Sequence, residues 1–418
     1  MKPLRIALYH NLPSGGGKRA LFEWVKRLAG LGHVLDVFTL SSADHAYGDI
    51  RPYAHAHRVY PFARRPLFKS PFGRLNHLQY WRDLRGLEHM GRIIAKDIDA
   101  GRYDLVFAHP CLLTLMPAVL QFVSTPSLYY LHEPFGPGFV LPLHRPYLTR
   151  NPLHGALNRV DPLIALYEHQ LQTMRAKSTR RTTRMLANSK FTGDVIQREY
   201  GVRAEVCYYG ISSTDFYPNA HVVRQGHVLS VGELSARKGF DFLIESLAHV
   251  PLAQRPVLQL ACNNEARFER DYISHLAAQR GVTLDIRMRL NTSQLVDAYQ
   301  RASFVVYAPV LEAFGLVPLE AMACGTAVVG VREGGVCETV VHEQTGLLAD
   351  RDPLQFARGI ESMMQDATQR ERYGQQGCEW VTRRWSWDES TKQIEEQLMR
   401  VAEQSSQSAQ TSGLTSRR

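Results

Sequence analysis

Two glutamates, Glu312 and Glu320, lie eight residues apart in the segment EAFGLVPLE. A carboxylate accepts hydrogen bonds through two oxygens, so a pair of carboxylates can hold several hydroxyl groups of one polyol. Gly315 lies between them and allows close backbone approach to a ligand, and free N–H groups at a helix start can face phosphate oxygens. The pattern predicts a site for a sugar joined to a diphosphate. A purely structural alternative makes Glu320 a partner of the helix dipole and Glu312 an exposed loop charge.

The elements around this segment should present both glutamates at one edge of a sheet. SFVVYAP, ahead of it, is a strand pattern. The proline and glycine behind it predict a short helix from about Pro318 to Cys324, with Glu320 in its first turn. A loop that follows a strand in an open α/β sheet lies at the carboxyl edge, where such sheets bind ligands.

The same order of strand, loop and helix recurs along the chain. LRIALY, the glycine turn Gly15 to Gly17, an amphipathic segment and HVLDVFTL form a βαβ pattern, and HVLSVGELSARKGF restarts it after a break rich in Ser, Pro, Asn and Gly. A chain of 418 residues should hold two cores. We predict an α/β protein with two doubly wound, Rossmann-like parallel-sheet domains. The expected units are 1–218, 219–385, a helix at 386–401 that could pack back on the first domain, and a disordered tail at 402–418.

Three segments lead to more local expectations. Arg51 to about Arg92 is irregular in pattern and is interpreted as a surface excursion or a partner-binding element. The apolar run from Cys111 to Val123 is too short to span a bilayer and is interpreted as a core helix. A helix is expected from Asp161 to Arg184, and its last turns carry five cations: Arg175, Lys177, Arg180, Arg181 and Arg184.

The net charge of +9 is unevenly distributed. Residues 1–210 hold 28 Lys/Arg against 15 Asp/Glu, which gives +13, and the remainder carries −4. The cationic half predicts a polyanionic partner, such as an anionic membrane surface reached through the cations at 175–184 and the Arg/aromatic run at 64–85. Nucleic acid is not expected because no recognition motif accompanies the charge. A solvated basic surface without a partner is the alternative.

Cysteine usage and the amino terminus favour a cytoplasmic protein. Six cysteines are scattered singly with no CxxC pair, as expected for reduced thiols, and no zinc pattern is present. The apolar run at the amino terminus is too short for a signal-peptide core. We expect a cytoplasmic protein with peripheral contact to the inner face of the membrane.

The span EAFGLVPLEAMACGTAVVG resembles the E-x7-E signature of retaining GT-B glycosyltransferases of the GT4 family, glycosyl transferases group 1. Further ordered matches run along nearly the whole chain: the amino-terminal glycine loop, ANSKFTGDVIQREYG, YYGISSTDFYP, VGELSARKGF, GGVCETV, QTGLLAD and RWSWDES. The resemblance implies a GT-B fold in which the two domains face a central cleft, with the acceptor side in the first domain and the donor side in the second. It implies transfer of a sugar from a nucleotide-sugar donor to a hydroxyl acceptor, in glycolipid, polysaccharide or cell-envelope glycan synthesis.

The resemblance also implies roles for single residues. It places Glu320 at the nucleotide ribose, Glu312 at the donor sugar hydroxyls, and the backbone of Phe314, Gly315 and Leu316 at the sugar and phosphates. The remaining candidates lie in three other loops: the diphosphate-binding Lys238 and Arg237, the cleft histidine His132 with its neighbour Glu133, and Gly15, Gly16 and Gly17 with the weaker candidate Lys18.

The sequence departs from the family pattern at two places. Glu233 stands where the family has an arginine, so Arg237 would have to supply the second cation beside the diphosphate. Asn263 and Asn264 replace a glycine-rich turn, which they could preserve by adopting left-handed conformations. The base of the nucleotide cannot be read from these segments.

We expect a same-face substitution that retains the anomeric configuration, with Glu312 and His132 at the reacting sugar and the leaving diphosphate deprotonating the acceptor. The sequence shows no metal-ligand set, so no cofactor and no metal are expected. Two alternatives use the same fold: a catalytically silent protein that binds polyanions or membranes, and a nucleotide-sugar epimerase or phosphorylase.

Overall fold

The protein is described by a computed structural model that covers residues 2–69, 73, 75–135, 143, 145–148, 160–264 and 266–415, with side chains to residue 404. Part of the predicted Arg/aromatic run at 64–85 lies outside the described residues, as do residues 416–418 of the predicted tail.

The described strands form two parallel sheets. The first sheet has the order β3-β2-β1-β4-β5-β6-β7 and the second the order β10-β9-β8-β11-β12-β13. The strands are β1 (Arg5–Asn11), β2 (Val34–Leu40), β3 (Ala56–Tyr60), β4 (Leu105–Cys111), β5 (Ser127–Leu131), β6 (Arg184–Ala187), β7 (Glu205–Val206), β8 (His227–Val231), β9 (Val257–Cys262), β10 (Leu284–Met288), β11 (Phe304–Tyr307), β12 (Val328–Val331) and β13 (Gly346–Ala349).

Helices connect these strands. They are α1 (Gly16–Gly30), α2 (Asn76–Ala100), α3 (Pro162–Arg181), α4 (Lys190–Tyr200), α5 (Phe240–His249), α6 (Arg267–Arg280), α7 (Thr292–Arg301), α8 (Leu316–Ala323), α9 (Val336–Thr339), α10 (Pro353–Gln365), α11 (Ala367–Arg384) and α12 (Trp387–Thr415). Short 3-10 segments include Ala118–Gln121 and Ala236–Lys238.

The order of strands places a ligand-binding edge in each domain. In the first sheet the direction of progression reverses between β1 and β4, and in the second between β8 and β11. Such switch points open a crevice at the carboxyl ends of the strands. The glycine turn at 15–17 follows β1, and the segment with Glu312 follows β11, so both lie at these edges. The predicted pair of doubly wound parallel sheets is confirmed.

The chain passes between the domains twice, and the two crossings touch. The first follows β7 and the second joins α11 to α12. Ile211 donates its backbone N–H to the Trp385 carbonyl at 2.6 Å. Gly210 is needed here because a Cβ atom would collide with the backbone of Ser386 and Trp387.

Helix α12 returns to the first domain and packs along α1. Trp24 Nε1 donates to Ser390 Oγ at 2.9 Å, and the His33 ring contacts the Glu395 carboxylate at 3.1 Å. Both pairs are buried, so this interface is part of the first domain's core.

Two regions differ from the sequence interpretation. The stretch predicted to be irregular contains β3 and the first turns of α2, a helix of 25 residues. Its apolar stripe was hidden because most of its other positions are charged or polar. The predicted core helix from Cys111 to Val123 is also wrong: Cys111 ends β4, and only the 3-10 turn Ala118–Gln121 is helical. Most of this segment is buried, and Gly91 of α2 lets its backbone at Ala118 approach closely.

Helix ends also shift. Asp161 caps the amino terminus of α3, but the helix stops at Arg181 because Arg184 already belongs to β6. Helix α12 continues to Thr415, so its backbone is helical through most of the segment predicted to be disordered from 402. Within the described ranges, none of the helices combines the length and apolar character needed to cross a membrane.

Candidate active site in the cleft between the sheets

Glu312 lies in the loop after β11 and is paired with Lys238 of the same domain. Its Oε2 accepts a hydrogen bond from Lys238 Nζ at 2.9 Å. Burial opposes ionisation of Glu312, but the Lys238 and Arg237 charges outweigh it and lower the pKa of this carboxyl below its usual value. Gly334 and Gly335 pack against this loop where any Cβ would strike the Glu312 or Ala313 carbonyl. Glu312 is therefore a fixed, ionised acceptor beside a cation.

Glu320 is buried in the helix that follows, and the helix starts earlier than predicted. Gly315, in the left-handed conformation with φ 103°, precedes α8, which begins at Leu316. Glu320 consequently lies in the second turn, which corrects the prediction of a first-turn position. Tyr299 donates its hydroxyl to Oε2 at 2.7 Å, and Arg19 of the first domain contacts Oε1 at 2.7 Å.

Arg19 and Tyr299 are site residues that the sequence interpretation missed. Arg19 immediately follows the glycine turn and Lys18, which is a signal that could have drawn attention to it. Nothing in the spacing of Tyr299 indicates its contact with Glu320. Because each carboxylate oxygen accepts more than one hydrogen bond, Glu320 keeps acceptor capacity for hydroxyl groups beside these two partners.

A second ion pair crosses the cleft next to Lys238. Arg237 contacts Glu133 Oε2 at 3.0 Å, while Glu133 Oε1 is buried with no hydrogen-bond partner. Burial raises the pKa of Glu133, and the Arg237 guanidinium opposes that shift. Glu233 is exposed and accepts a hydrogen bond from Ser235 Oγ. The acid at this family position thus accepts from a neighbour in its own loop and acts on Arg237, while Arg237 and Lys238 both act on Glu312.

The glycine turn meets both domains. A Cβ atom on Gly16 would lie 3.0 Å from Leu316 Cδ1 of the second domain, and one on Gly17 would lie 2.9 Å from His132 Cγ. Glycine at position 17 is needed for α1 to start this close to His132, whereas a Cβ on Gly16 would require the end of the Leu316 side chain to shift. The predicted residues Gly16, Gly17, His132 and Leu316 are thus brought together in one place.

His132 is buried, and both of its ring nitrogens are hydrogen-bonded. Nδ1 contacts the Tyr209 hydroxyl at 2.6 Å, and Nε2 contacts His109 Nδ1 at 2.9 Å. Burial lowers the pKa of His132 to about 3, so the ring is neutral at pH 7. Its ring also stacks on Trp24. Acid–base chemistry by this imidazole would require one of these hydrogen bonds to break, so the geometry favours a positioning role.

The histidine network continues toward Lys18. Lys18 Nζ lies 3.4 Å from His10 Nε2, and both side chains are buried. Burial lowers the pKa of Lys18 to about 8, with Asp44 and Asp49 opposing the shift. Burial also lowers the pKa of His10 and of His109. We call His10, His109, His132 and Tyr209 the histidine wall of the cleft, and Arg237, Lys238, Glu312 and Glu320 the donor wall.

Helix α4 ties the first domain to the Glu312 loop. Ser189 Oγ donates to the Ala313 carbonyl at 2.5 Å. Glu338 of the second domain accepts hydrogen bonds at 3.0 Å from the backbone N–H groups of Lys190 and Phe191 at the start of α4. A carboxylate at a helix amino terminus is electrostatically favourable. The segment ANSKF is therefore an interdomain contact.

The asparagines after β9 do not act as predicted. Neither Asn263 nor Asn264 is among the residues with positive φ. Instead, Asn264 Oδ1 accepts a hydrogen bond from the Leu234 backbone N–H at 2.6 Å, which fixes the loop before Lys238.

The cleft combines features suited to an anionic, hydroxyl-rich ligand. Two cations lie in the 3-10 turn ahead of α5, one carboxylate precedes α8 and another lies in its second turn, and the buried histidine wall adds neutral groups from the first domain. No group of three or more His, Cys, Asp or Glu residues that could hold a metal ion occurs in the part of the chain the structure describes.

Both halves of the sequence match glycosyltransferase families. Residues 14–214 match the family model described as Glycosyltransferase Family 4, and residues 213–380 match Glycosyl transferases group 1. The chain belongs to the GT4-type glycosyltransferases. This glycosyltransferase is 27% identical over 410 residues to a D-inositol 3-phosphate glycosyltransferase of Salinispora tropica, covering 91% of this chain and 80% of the relative. It is 32% identical over 169 residues to an uncharacterized glycosyltransferase of Methanocaldococcus jannaschii, covering 40% of this chain and 43% of the relative.

Solved structures share the fold across nearly the whole chain. Sucrose-phosphate synthase from Thermosynechococcus elongatus gives a TM-score of 0.70 at 20% identity and covers 95% of this chain and 99% of that one. Anabaena HepE, solved in complex with UDP and glucose, gives 0.66 at 18% identity with the same coverage. The GT-B fold of this glycosyltransferase is confirmed.

Proposed function

We propose that this protein transfers a sugar from a nucleotide-sugar donor to a hydroxyl acceptor with retention of anomeric configuration. The observation that carries the proposal is the donor wall at the carboxyl edge of the second sheet: Lys238 and Arg237 lie beside the ionised Glu312, and Glu320 lies in the helix that follows the Glu312 loop. Support also comes from Anabaena HepE, a protein of the same fold that was solved with UDP and glucose.

Lys238 and Arg237 would receive the diphosphate. Both are already held by carboxylates, Glu312 and Glu133, so a diphosphate entering here competes for positioned cations. Preorganised charges of this kind stabilise developing negative charge without reorganising during the reaction. Glu312 would then be shared between Lys238 and the sugar hydroxyls, and Glu320 would hold the ribose hydroxyls.

The reaction exchanges one bond at the anomeric carbon for another on the same face. The bond from that carbon to the diphosphate oxygen breaks, and the bond to the acceptor oxygen forms. The acceptor proton passes to the leaving phosphate. The neutral His132 fits this route because it supplies packing and orientation and leaves the proton to the phosphate.

The acceptor would enter from the first domain. Lys18 and the histidine wall line that side, and the relative from Salinispora tropica is named for a phosphorylated polyol. D-inositol 3-phosphate is therefore a reasonable first acceptor to test. A role in glycolipid, polysaccharide or cell-envelope synthesis and a cytoplasmic location remain proposals of the same kind.

Fewer of the cations at 175–184 are available for membrane contact than the sequence suggests. Arg175 is buried and donates to the Thr114 carbonyl, and Arg184 pairs with Glu205. The exposed cations of this segment are Lys177, Arg180 and Arg181. We keep peripheral membrane association as a proposal that rests on these three.

A donor panel tests the function. Purified protein is incubated with UDP-glucose, UDP-N-acetylglucosamine, GDP-mannose and ADP-glucose, and thermal stabilisation and slow hydrolysis are followed, with product stereochemistry read by NMR. One donor should stabilise the protein, and its product should keep the donor's anomeric configuration. Glu320→Gln should abolish the stabilisation, whereas Glu361→Gln, on α10 away from the cleft, should not. Absence of turnover with every donor, together with binding to anionic vesicles, would favour the silent alternative, and an epimerised sugar without transfer would favour the epimerase.

A further inference from the structure

A second charged cavity lies on the first domain, outside the cleft. Its volume is about 230 Å³, and it is lined by residues of α2, the 3-10 turn at 118–121 and α3. The lining residues that matter are Arg92, Gln121, Phe122, Lys177, Arg180 and Arg181. The donor wall takes no part in it.

The cavity is placed at the opposite edge of the sheet from the cleft. Gln121 lies just ahead of β5, and Arg181 just ahead of β6, so both stand at the amino ends of strands. The cleft is built on the carboxyl ends. A ligand bound here would not compete with a donor, and the inference does not rest on the proposed function.

Four cations converge on this cavity from two helices. Lys177, Arg180 and Arg181 come from the last turns of α3, and Arg92 comes from α2. Cations at a helix end complement its dipole, which accounts for part of the α3 cluster. That explanation does not apply to Arg92, which lies in the middle of α2 and whose guanidinium rests over the Phe122 ring at 4.8 Å. Among the described side chains, none of the four forms a salt bridge.

Gln121 is the observation that points to a ligand. It is 5% exposed, and both Nε2 and Oε1 are buried without a hydrogen-bond partner. Buried amide groups normally have partners, because leaving them unpaired is costly. The one carboxylate in the lining, Glu88, already accepts a hydrogen bond from Arg85 Nη1 at 3.1 Å, so its charge is compensated.

We propose that this cavity binds a phosphomonoester. Guanidinium groups donate paired hydrogen bonds to phosphate oxygens, and Lys177 adds a point charge. The Gln121 amide donates to a further phosphate oxygen, and its carbonyl accepts from an O–H of the same ligand, either an alcohol hydroxyl or the P–OH of a singly protonated phosphate. A small sugar or polyol phosphate and the headgroup of phosphatidic acid share this chemistry.

The test uses sn-glycerol 3-phosphate as the soluble probe, with phosphatidylcholine vesicles that contain or lack phosphatidic acid as the lipid arm. Titration calorimetry should detect the soluble probe, or co-sedimentation should show binding that depends on phosphatidic acid. Lys177→Gln should weaken binding about tenfold, as expected for loss of one charge-assisted hydrogen bond. Lys26→Gln removes another exposed lysine of the same domain, on α1, and should bind as the wild type does.

Gln121→Leu separates a binding role from a structural one. Because the amide is buried and unpaired, the leucine variant should melt at the same or a higher temperature without probe, yet lose probe binding. Binding of the soluble probe alone identifies a small phosphate ester, and binding only to phosphatidic acid vesicles identifies the lipid. The proposal is overturned if neither probe binds, or if Gln121→Leu and Lys177→Gln bind as tightly as the wild type.

Discussion

The two walls of the cleft differ in charge: the donor wall is charged, and the histidine wall is neutral. The donor wall carries charged groups held in place by partners: Lys238 contacts the ionised Glu312, and Arg237 contacts Glu133 across the cleft. The histidine wall carries titratable groups that burial keeps neutral, including His132 with a pKa lowered to about 3. Charge is therefore concentrated where a diphosphate would leave, whereas the histidine wall contributes packing and orientation without charge. A reaction in which the leaving group itself takes the proton needs this division.

The largest expected effect comes from removing the central cation of the donor wall. Lys238→Gln should lower kcat about 100- to 1,000-fold, the range seen when one preorganised donor to a developing anion is removed. Initial rates with the donor found by the panel measure this effect. The melting temperature is measured as well, because Glu312 loses its partner and the variant could be less stable. Lys392→Gln, an exposed lysine of α12, is the matched control. An unchanged kcat for Lys238→Gln would show that the charge of the donor wall does not stabilise the leaving diphosphate.

The histidine wall should show itself in the pH dependence of stability. Because the folded pKa of His132 lies near 3 and the unfolded value near 6.5, the unfolded chain binds more protons between these values. The free energy of unfolding should therefore fall as pH drops through this window, by up to about 1.4 kcal/mol per pH unit from this group.

Denaturant unfolding at several pH values measures that slope. His132→Gln should flatten it, whereas the exposed His169→Gln on α3 should keep it. An equal slope in the wild type and in His132→Gln would mean that His132 titrates normally in the folded protein, and the wall would not be neutral.

A smaller effect, on nucleoside diphosphate affinity, is expected from breaking the Arg19–Glu320 contact between the two domains. Arg19→Gln removes the first-domain partner of Glu320, while Tyr299 continues to hold the other carboxylate oxygen. Nucleoside diphosphate affinity should fall about three- to tenfold, roughly the value of one partly buried ion pair, with kcat changed less. Calorimetric titration measures it, and Arg198→Gln on α4 is the control. Tighter binding in Arg19→Gln would show that Arg19 competes with the ligand for Glu320.

The sequence was most informative where local rules act. Alternating strands, glycine turns and amphipathic helices predicted both sheets, and a strand followed by a loop and helix located Glu312 and Glu320 at the correct edge. Helix α2 was missed because its buried positions, among them Leu84, Leu87 and Ile94, are interrupted by a majority of polar residues. Its partner, the buried segment near Ala118, is distant in sequence.

The contacts of the site could not be derived in the same way. Arg19 and Glu320 are 301 positions apart in the chain, and their pairing depends on how the two domains face each other. The burial that keeps His132 neutral is supplied in part by Trp24, His109 and Tyr209, which come from three separate segments. The spacing of a motif predicts the local structure of its own segment. The Arg19–Glu320 pair and the neutral state of His132 instead depend on how distant segments pack in the folded cleft.

The return of α12 to α1 has a consequence for synthesis on the ribosome. The surface formed by Trp24 of α1 and by His33, which lies just after the helix, is completed by Ser390 and Glu395, so this face stays uncovered until nearly the whole polypeptide has emerged. The first domain is thus translated first, but its core is completed last, when α12 has been synthesised. Ribosome-stalled chains that end before residue 387 should expose this apolar face to chaperones, and the full-length chain should release them.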